Sequence, residues 1–214
     1  MKVRTRKYEV RSEDGEPDVG RGAVDVSALR LADLIAPGLD LLFVGFNPSV
    51  YSAIHGHFYA RPGNRFWLLL ALAGLTPRQY APSEDATLLD LLIGITDLCP
   101  IPTPGIADVP RAVAESGRGA LTAKIEQYTP RIVSFNGRAT YERFFGHKLA
   151  DWGLQPDRIG TAPSLVFVTP SSSGRANGVG VAREAAYLAL GELTDQLRRA
   201  RTDVGAIPVS SIDK

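Results

Sequence analysis

The chain of 214 residues holds one cysteine, one methionine and three histidines. The lone Cys99 excludes an intramolecular disulfide framework and fits a reducing compartment, so a cytoplasmic location is expected. His55 and His57 have no carboxylate close to them in sequence, and His147 is far away. Exposed loop histidines, and no metal, are the expectation. Long hydrophobic runs are missing too. Stretches such as 68–73 are far too short to span a bilayer, so no membrane association is expected. The opening "MKVRTRKYEVRSEDGE" is charged and lacks an apolar segment, so no signal peptide is expected. Neither charge sign dominates: 24 Lys and Arg stand against 23 Asp and Glu, a net charge of +1. That balance argues against a dedicated nucleic-acid coat. It leaves room for an enzyme that touches a few phosphates, because local basic patches matter more than the sum. A convincing glycine-rich cofactor loop is absent as well. "GRGAVD" (20–25) follows no strand signal and "GVGVAR" (178–183) is a loose match, so no cofactor is expected.

A hydrophobic share of 44% and a charged share of 22% describe an ordinary globular chain. One domain is expected over 25–202, between a flexible or loosely docked tail at 1–24 and a second tail at 203–214. Positions 26–35 have helical spacing and are closed by "APG". "LDLLFVGF" (39–46) is apolar throughout except for Asp40, the pattern of a strand buried on both faces. Asn64 is a candidate N-cap for a helix that Gly74 ends. Residues 87–98 predict a short helix or turn and then a strand, followed by the Pro-rich loop "CPIPTPGIADVP". A helix is expected over 110–128, weakened in its first half by Gly117 and Gly119. Strands at 131–137 and 164–170 are each followed by a helix, at 138–145 and about 183–201. Arg198, Arg199 and Arg201 lie at the C-terminal end of the last, where the macrodipole favours cations. Alternating strands and helices place the chain in the α/β class, with a mainly parallel sheet covered on both faces. Ligands of such sheets bind beyond the carboxyl ends of the strands. "FNPS", "ITDL", "FNGR" and "TPSSSGR" are therefore the candidate site segments.

Each of these segments has a plain reading and a chemical one. Asn47-Pro48-Ser49 makes a turn, or Asn47 positions a water with its neutral amide. Phe58 and Tyr59 pack, or offer a π-face to a nucleobase, worth ~1–3 kcal/mol per base. Asp97 is a capping carboxylate or a general base at a strand tip. The loop from Ser171 through Ser172, Ser173 and Gly174 to Arg175 is a polar connection, or a grip on phosphate by small residues and backbone N–H groups. "NPSVY" also loosely resembles the Asn-Pro-Pro-Tyr motif of S-adenosylmethionine-dependent amino-methyltransferases, with Ser49 in place of the second Pro and Val50 in place of Tyr.

Taken together, "GFNPS", "SAIHGHFYARPGNRFW", "LLDLLIGITDL", "SFNGRATYERF", "DWGLQP" and "VTPSSSGRA" resemble one family in its own motif order, over roughly 39–200. It is the mismatch-specific uracil-DNA glycosylase and thymine-DNA glycosylase branch of the uracil-DNA glycosylase superfamily. The resemblance implies a three-layer α/β/α sandwich around a short, mainly parallel sheet. It implies a monofunctional glycosylase acting on double-stranded DNA that contains a mismatched or damaged base; a monomer is the default expectation. In residue terms it implies that Asn47 positions the hydrolytic water and that Tyr59, twelve residues on, stacks on a flipped base. Main-chain groups near Phe46 and Tyr59 would read the base edge. Ser171 to Arg175 would enter the duplex from the minor groove, with Arg175 in the stack. Arg61 and Arg65 are the expected phosphate contacts. Two departures stand out: many relatives have Gly where Ser49 stands, and the family varies at Asp97, which could serve as a base. A base-flipping binding module that does not cut is the other alternative.

Overall fold

The computed structural model describes residues 28–174 and 180–205, with side chains to Arg201. The tail at 1–24, Arg175 and the chain beyond 205 lie outside the described residues. Strand β1 (Leu41–Gly45) leads through the short helix α1 (Val50–His55) to α2 (Phe66–Leu72). A run of 3-10 turns over Pro82–Leu91 precedes β2 (Ile93–Asp97), and α3 (Arg111–Tyr128) returns the chain to β3 (Ile132–Asn136). Then come α4 (Arg138–Phe145), β4 (Gly153–Gln155), β5 (Leu165–Thr169) and α5 (Gly180–Gly205). The sheet order is β2-β1-β3-β5-β4; all neighbours are parallel except the β4–β5 pair. This is a mixed α/β fold with a mostly parallel central sheet. No helix of the described residues is long and apolar enough to cross a membrane.

The two-residue period of a strand divides β1 between two cores. Leu42 and Val44 join Val133, Phe135, Val166 and Val168 under Leu121 and Ile125 of α3 and Tyr141 and Phe144 of α4. Leu41 and Phe43 join Ile93, Ile95 and Ile132 under Phe66 and Leu70 of α2 and Tyr187 and Leu190 of α5. Helices thus cover both faces, which is why β1 reads as continuously apolar. Gly117 belongs inside α3 for a packing reason: a Cβ there would stand 2.1 Å from the Leu98 carbonyl oxygen. The weakened helix propensity is the cost of that close approach.

Helix is not the state of residues 28–35, despite their spacing. Leu34 exchanges main-chain hydrogen bonds with Ile95 (N to O 2.9 Å and 2.8 Å), an antiparallel bridge on the outer edge of β2. Leu34 packs into the α2/α5 core and Ile35 into the α3/α4 core, the alternation of an extended chain. The unpaired edge of β2 satisfies the segment's backbone better than an isolated helical turn would. The short α1 is a second departure from the sequence expectation. Ser49 caps it, its Oγ accepting from Ser52 N at 3.0 Å, and Gly56 closes it in the left-handed region. Ser49 therefore sets the start of this helix.

Candidate active site

The carboxyl ends of β1, β2, β3 and β5 open into one cleft of about 600 Å³. It is lined by Asn47, Tyr59, Asp97, Asn136 and Ser171 to Ser173, with Thr103, Arg61 and Trp152 at its sides. Candidate segments far apart in sequence thus meet in space, as strand-end logic requires.

Asn47 follows β1 by two residues. Its Nδ2 donates to the carbonyls of Pro48 (3.0 Å) and Ile101 (3.1 Å) and to Thr103 Oγ1 (2.8 Å). Thr103 passes its own proton to Gly105 O at 2.7 Å, which commits its oxygen to accepting from Asn47. The amide nitrogen is fully engaged, so the Asn47 carbonyl oxygen is the group left to accept a hydrogen bond from a molecule in the cleft. A neutral amide fixed in this way can orient water but cannot take its proton.

Asp97 ends β2, in register with Gly45. Its carboxylate occupies the space above that glycine: a Cβ on Gly45 would lie 2.1 Å from Asp97 Oδ1 and 3.2 Å from the Tyr59 hydroxyl. The Asp97 carboxyl is pushed up to about 8, first by burial and then by the negative charge of Asp33, against the pull of Lys124. Near neutral pH it is mostly protonated, a donor that becomes a base only as the pH rises through that value.

Tyr59 is held from every side. Asp85, buried, accepts from Phe58 N at 3.0 Å and faces His57 Nδ1 at 3.2 Å. Ser52 Oγ accepts from Ala60 N at 3.2 Å, and Phe66 stacks on the Tyr59 ring with centroids 3.9 Å apart. These contacts hold Tyr59 at φ 52°, an uncommon conformation for a bulky residue and one that clusters at functional sites. Burial, then the charge of Asp97, raise its hydroxyl well above the ordinary tyrosine value, so it stays neutral.

A model of the uracil DNA glycosylase superfamily matches residues 32–190, most of the chain and all of the segments above. The chain belongs to the uracil-DNA glycosylase superfamily. Its fold is similar to the solution NMR structure of a candidate uracil DNA glycosylase from Methanosarcina acetivorans, with a TM-score of 0.52 at 19% identity. The match covers 78% of this chain and 98% of that one.

Within this superfamily fold, the segment after β5 divides in two. Ser172 is buried: its N–H donates to Asn136 Oδ1 and its hydroxyl accepts from Asn136 Nδ2, both at 3.0 Å, while its carbonyl accepts from Arg65 N at 3.0 Å. It braces the loop against β3 and α2. Ser171 and Ser173 are half-buried on the cleft wall and Gly174 is exposed, so these are the loop residues open to a ligand. Phe46 is buried in the α3/α4 core, and its carbonyl accepts from Cys99 N at 2.9 Å. Arg61 is exposed on the cleft rim, whereas Arg65 pairs with Glu184 at 2.8 Å.

Several site residues escaped the sequence reading. Thr103 and Ile101 sit in a Pro-rich loop with no periodicity, yet they set the Asn47 amide. Asn136 was visible only as part of "FNGR" and Asp85 not at all. Their signal is a partner 27 to 56 residues away, which no local pattern carries.

Proposed function

We propose that this member of the superfamily is a mismatch-directed DNA glycosylase. It flips uracil, foremost from G·U pairs, out of double-stranded DNA and hydrolyses its N-glycosidic bond. The observation that carries the reading is the Asn47 amide, locked by three acceptors with its carbonyl oxygen available to the cleft, beside a carboxyl group at the next strand tip.

Flipping a base costs a few kcal/mol, and less for a mismatched pair, which by itself favours G·U over normal pairs. The flipped uracil stacks against the Tyr59 side of the cleft. Ser171, Ser173 and Gly174 face the strand it left, with Arg175 as the side chain for the vacated stack, and Arg61 takes a phosphate. As the glycosidic bond stretches, positive charge grows on the sugar and negative charge on the leaving base. Water held by Asn47 attacks C1′. The fraction of Asp97 already ionised, favoured by that positive charge, takes the proton of the water, and the uracil departs as its anion. No metal or cofactor enters the scheme. The protein acts as a monomer in the cytoplasm.

The test is excision from a labelled duplex carrying one G·U pair, read as alkali-cleaved strand. Wild type is expected to cut, with a rate that climbs with pH toward about 8, the proton affinity of Asp97. Asp97→Asn is expected to lose ~10²–10⁴-fold and to lose the pH dependence. Asn47→Ala is expected to lose excision while keeping duplex binding. Saturated binding with an intact strand in wild type would establish a non-cutting base reader instead.

A further inference from the structure

The extended segment on the edge of β2 brings Asp33 to Thr96, the residue immediately before Asp97. Thr96 is fully buried, and its Oγ1 donates to Asp33 Oδ1 at 2.6 Å. Lys124, from α3, donates to the same hydroxyl at 2.8 Å and bonds the other Asp33 oxygen. Three elements thus converge on one hydroxyl. A partly exposed ion pair of this kind is worth only about 0–1 kcal/mol to folding, and one partner would satisfy the buried hydroxyl, so stability does not require both charges.

The position of the cluster gives a reason for both. Successive side chains of a strand point to opposite faces, so Thr96 and Asp97 face apart. Asp33 and Lys124 therefore act on Asp97 through the electric field around the end of β2, without a shared hydrogen bond. Asp33 opposes a charge on Asp97 and Lys124 favours one, with Asp33 the stronger. The other titratable groups coupled to Asp97 are Tyr59, from the loop after α1, and Cys99, just after β2. Burial lifts the Cys99 thiol to about 11 and Tyr59 well above its usual value. Both stay neutral while Asp97 titrates, which leaves Asp33 and Lys124 as the charges that set the field there.

We propose that Asp33 and Lys124 are positioning residues for base excision: an opposed pair of charges, anchored to β2 by Thr96, that tunes how readily Asp97 releases its proton. This rests on Asp97 being the acid–base group of the cleft. The Leu34–Ile95 bridge then has a task beyond covering a sheet edge, since it holds Asp33 at a fixed place relative to Asp97.

The test follows Asp97 twice, by carbon-13 NMR titration of its carboxyl carbon in the full chain without DNA and by the pH profile of excision. Asp33→Asn keeps an acceptor for the Thr96 hydroxyl and removes the charge; the Asp97 midpoint is expected to fall by ~0.5–1 pH unit. Lys124→Met is expected to raise it by a similar amount, and Lys124→Arg to return it to the wild-type value. Opposite movements cannot come from loosening the edge segment, which would shift both variants the same way. Midpoints that stay put, or that move together, overturn the proposal. Should Asp33→Asn fail to fold, the rise in Lys124→Met and its return in Lys124→Arg carry the same decision. Opposed NMR midpoints with excision profiles that do not follow them overturn the catalytic role of the pair. Opposed midpoints in a wild type that cuts no G·U duplex remove the glycosylase reading while leaving the electrostatic coupling in place.

Discussion

Two aspartates, Asp40 fully buried and Asp97 half-buried on the cleft wall, sit at opposite ends of the sheet and are treated in opposite ways. Asp40, just before β1, is fully buried and ringed by arginines: Arg198 Nε at 3.0 Å, Arg201 Nη1 at 3.3 Å and Arg131 Nη1 at 3.7 Å. The cage also ties elements together, because Arg198 donates to Leu91 O at 2.7 Å and Arg131 to Leu197 O at 2.6 Å. Asp97, at the far end of β2, has no cation within ion-pair distance among the described residues. The charges that act on it are Asp33, which repels it, and Lys124, which is already bonded to Asp33. The same carboxyl group is thus an ion-paired clamp at the amino ends of the strands and a titratable group open to the cleft at their carboxyl ends. The fold holds itself shut at one end and keeps the other end poised.

Breaking the clamp should produce the largest effect. Asp40→Ala leaves three guanidinium groups around an empty site and is expected to cost ~3–5 kcal/mol in urea denaturation, with excision per folded molecule unchanged. Displacing the poised group comes next. Gly45→Ala puts a methyl within 2.1 Å of Asp97 Oδ1, and ~10²-fold slower excision with little change in duplex binding is expected from moving the proposed base by about 1 Å. The smallest effect is a gain. The Asp97 carboxyl is pushed up to about 8, so the folded chain holds its proton where the unfolded chain has released it. That stability is present at low pH and is lost as the pH climbs from the ordinary aspartate range through about 8. Asp97→Asn should therefore raise stability at pH above 8 by ~1–3 kcal/mol, since water in the open cleft screens part of the full shift. The gain should shrink toward zero as the pH approaches 4, the ordinary aspartate value. A variant more stable at every pH, or at none, would dissolve the contrast between the two aspartates.

The contrast also separates what was legible in sequence from what was not. The three arginines at the end of α5 suggested a helix dipole and nothing more. Two of them instead reach Asp40, about 160 residues earlier. Asp97 could be placed at a strand tip from the apolar run before it. Its altered proton affinity could not, because that depends first on burial and then on Asp33 and Lys124, which come from an edge segment and from α3. Residues 28–35 show the same limit in secondary structure. Their helical spacing is real, but the open edge of β2 offers backbone partners that local spacing cannot anticipate.

The sequence by itself determined the layered α/β architecture and the gathering of "FNPS", "ITDL", "FNGR" and "TPSSSG" at one end of it. Apolar periodicity, caps and breakers are short-range properties, and a parallel sheet necessarily brings its strand ends together. Only the tertiary structure decided the state of the groups gathered there: the Asn47 amide turned by Thr103 and Ile101, Tyr59 held in a left-handed conformation, Ser172 braced by Asn136, and Asp97 without an ion-pair partner among the described residues. Hydrogen bonds and electric fields act between neighbours in space, and those neighbours are fixed only when the chain has folded.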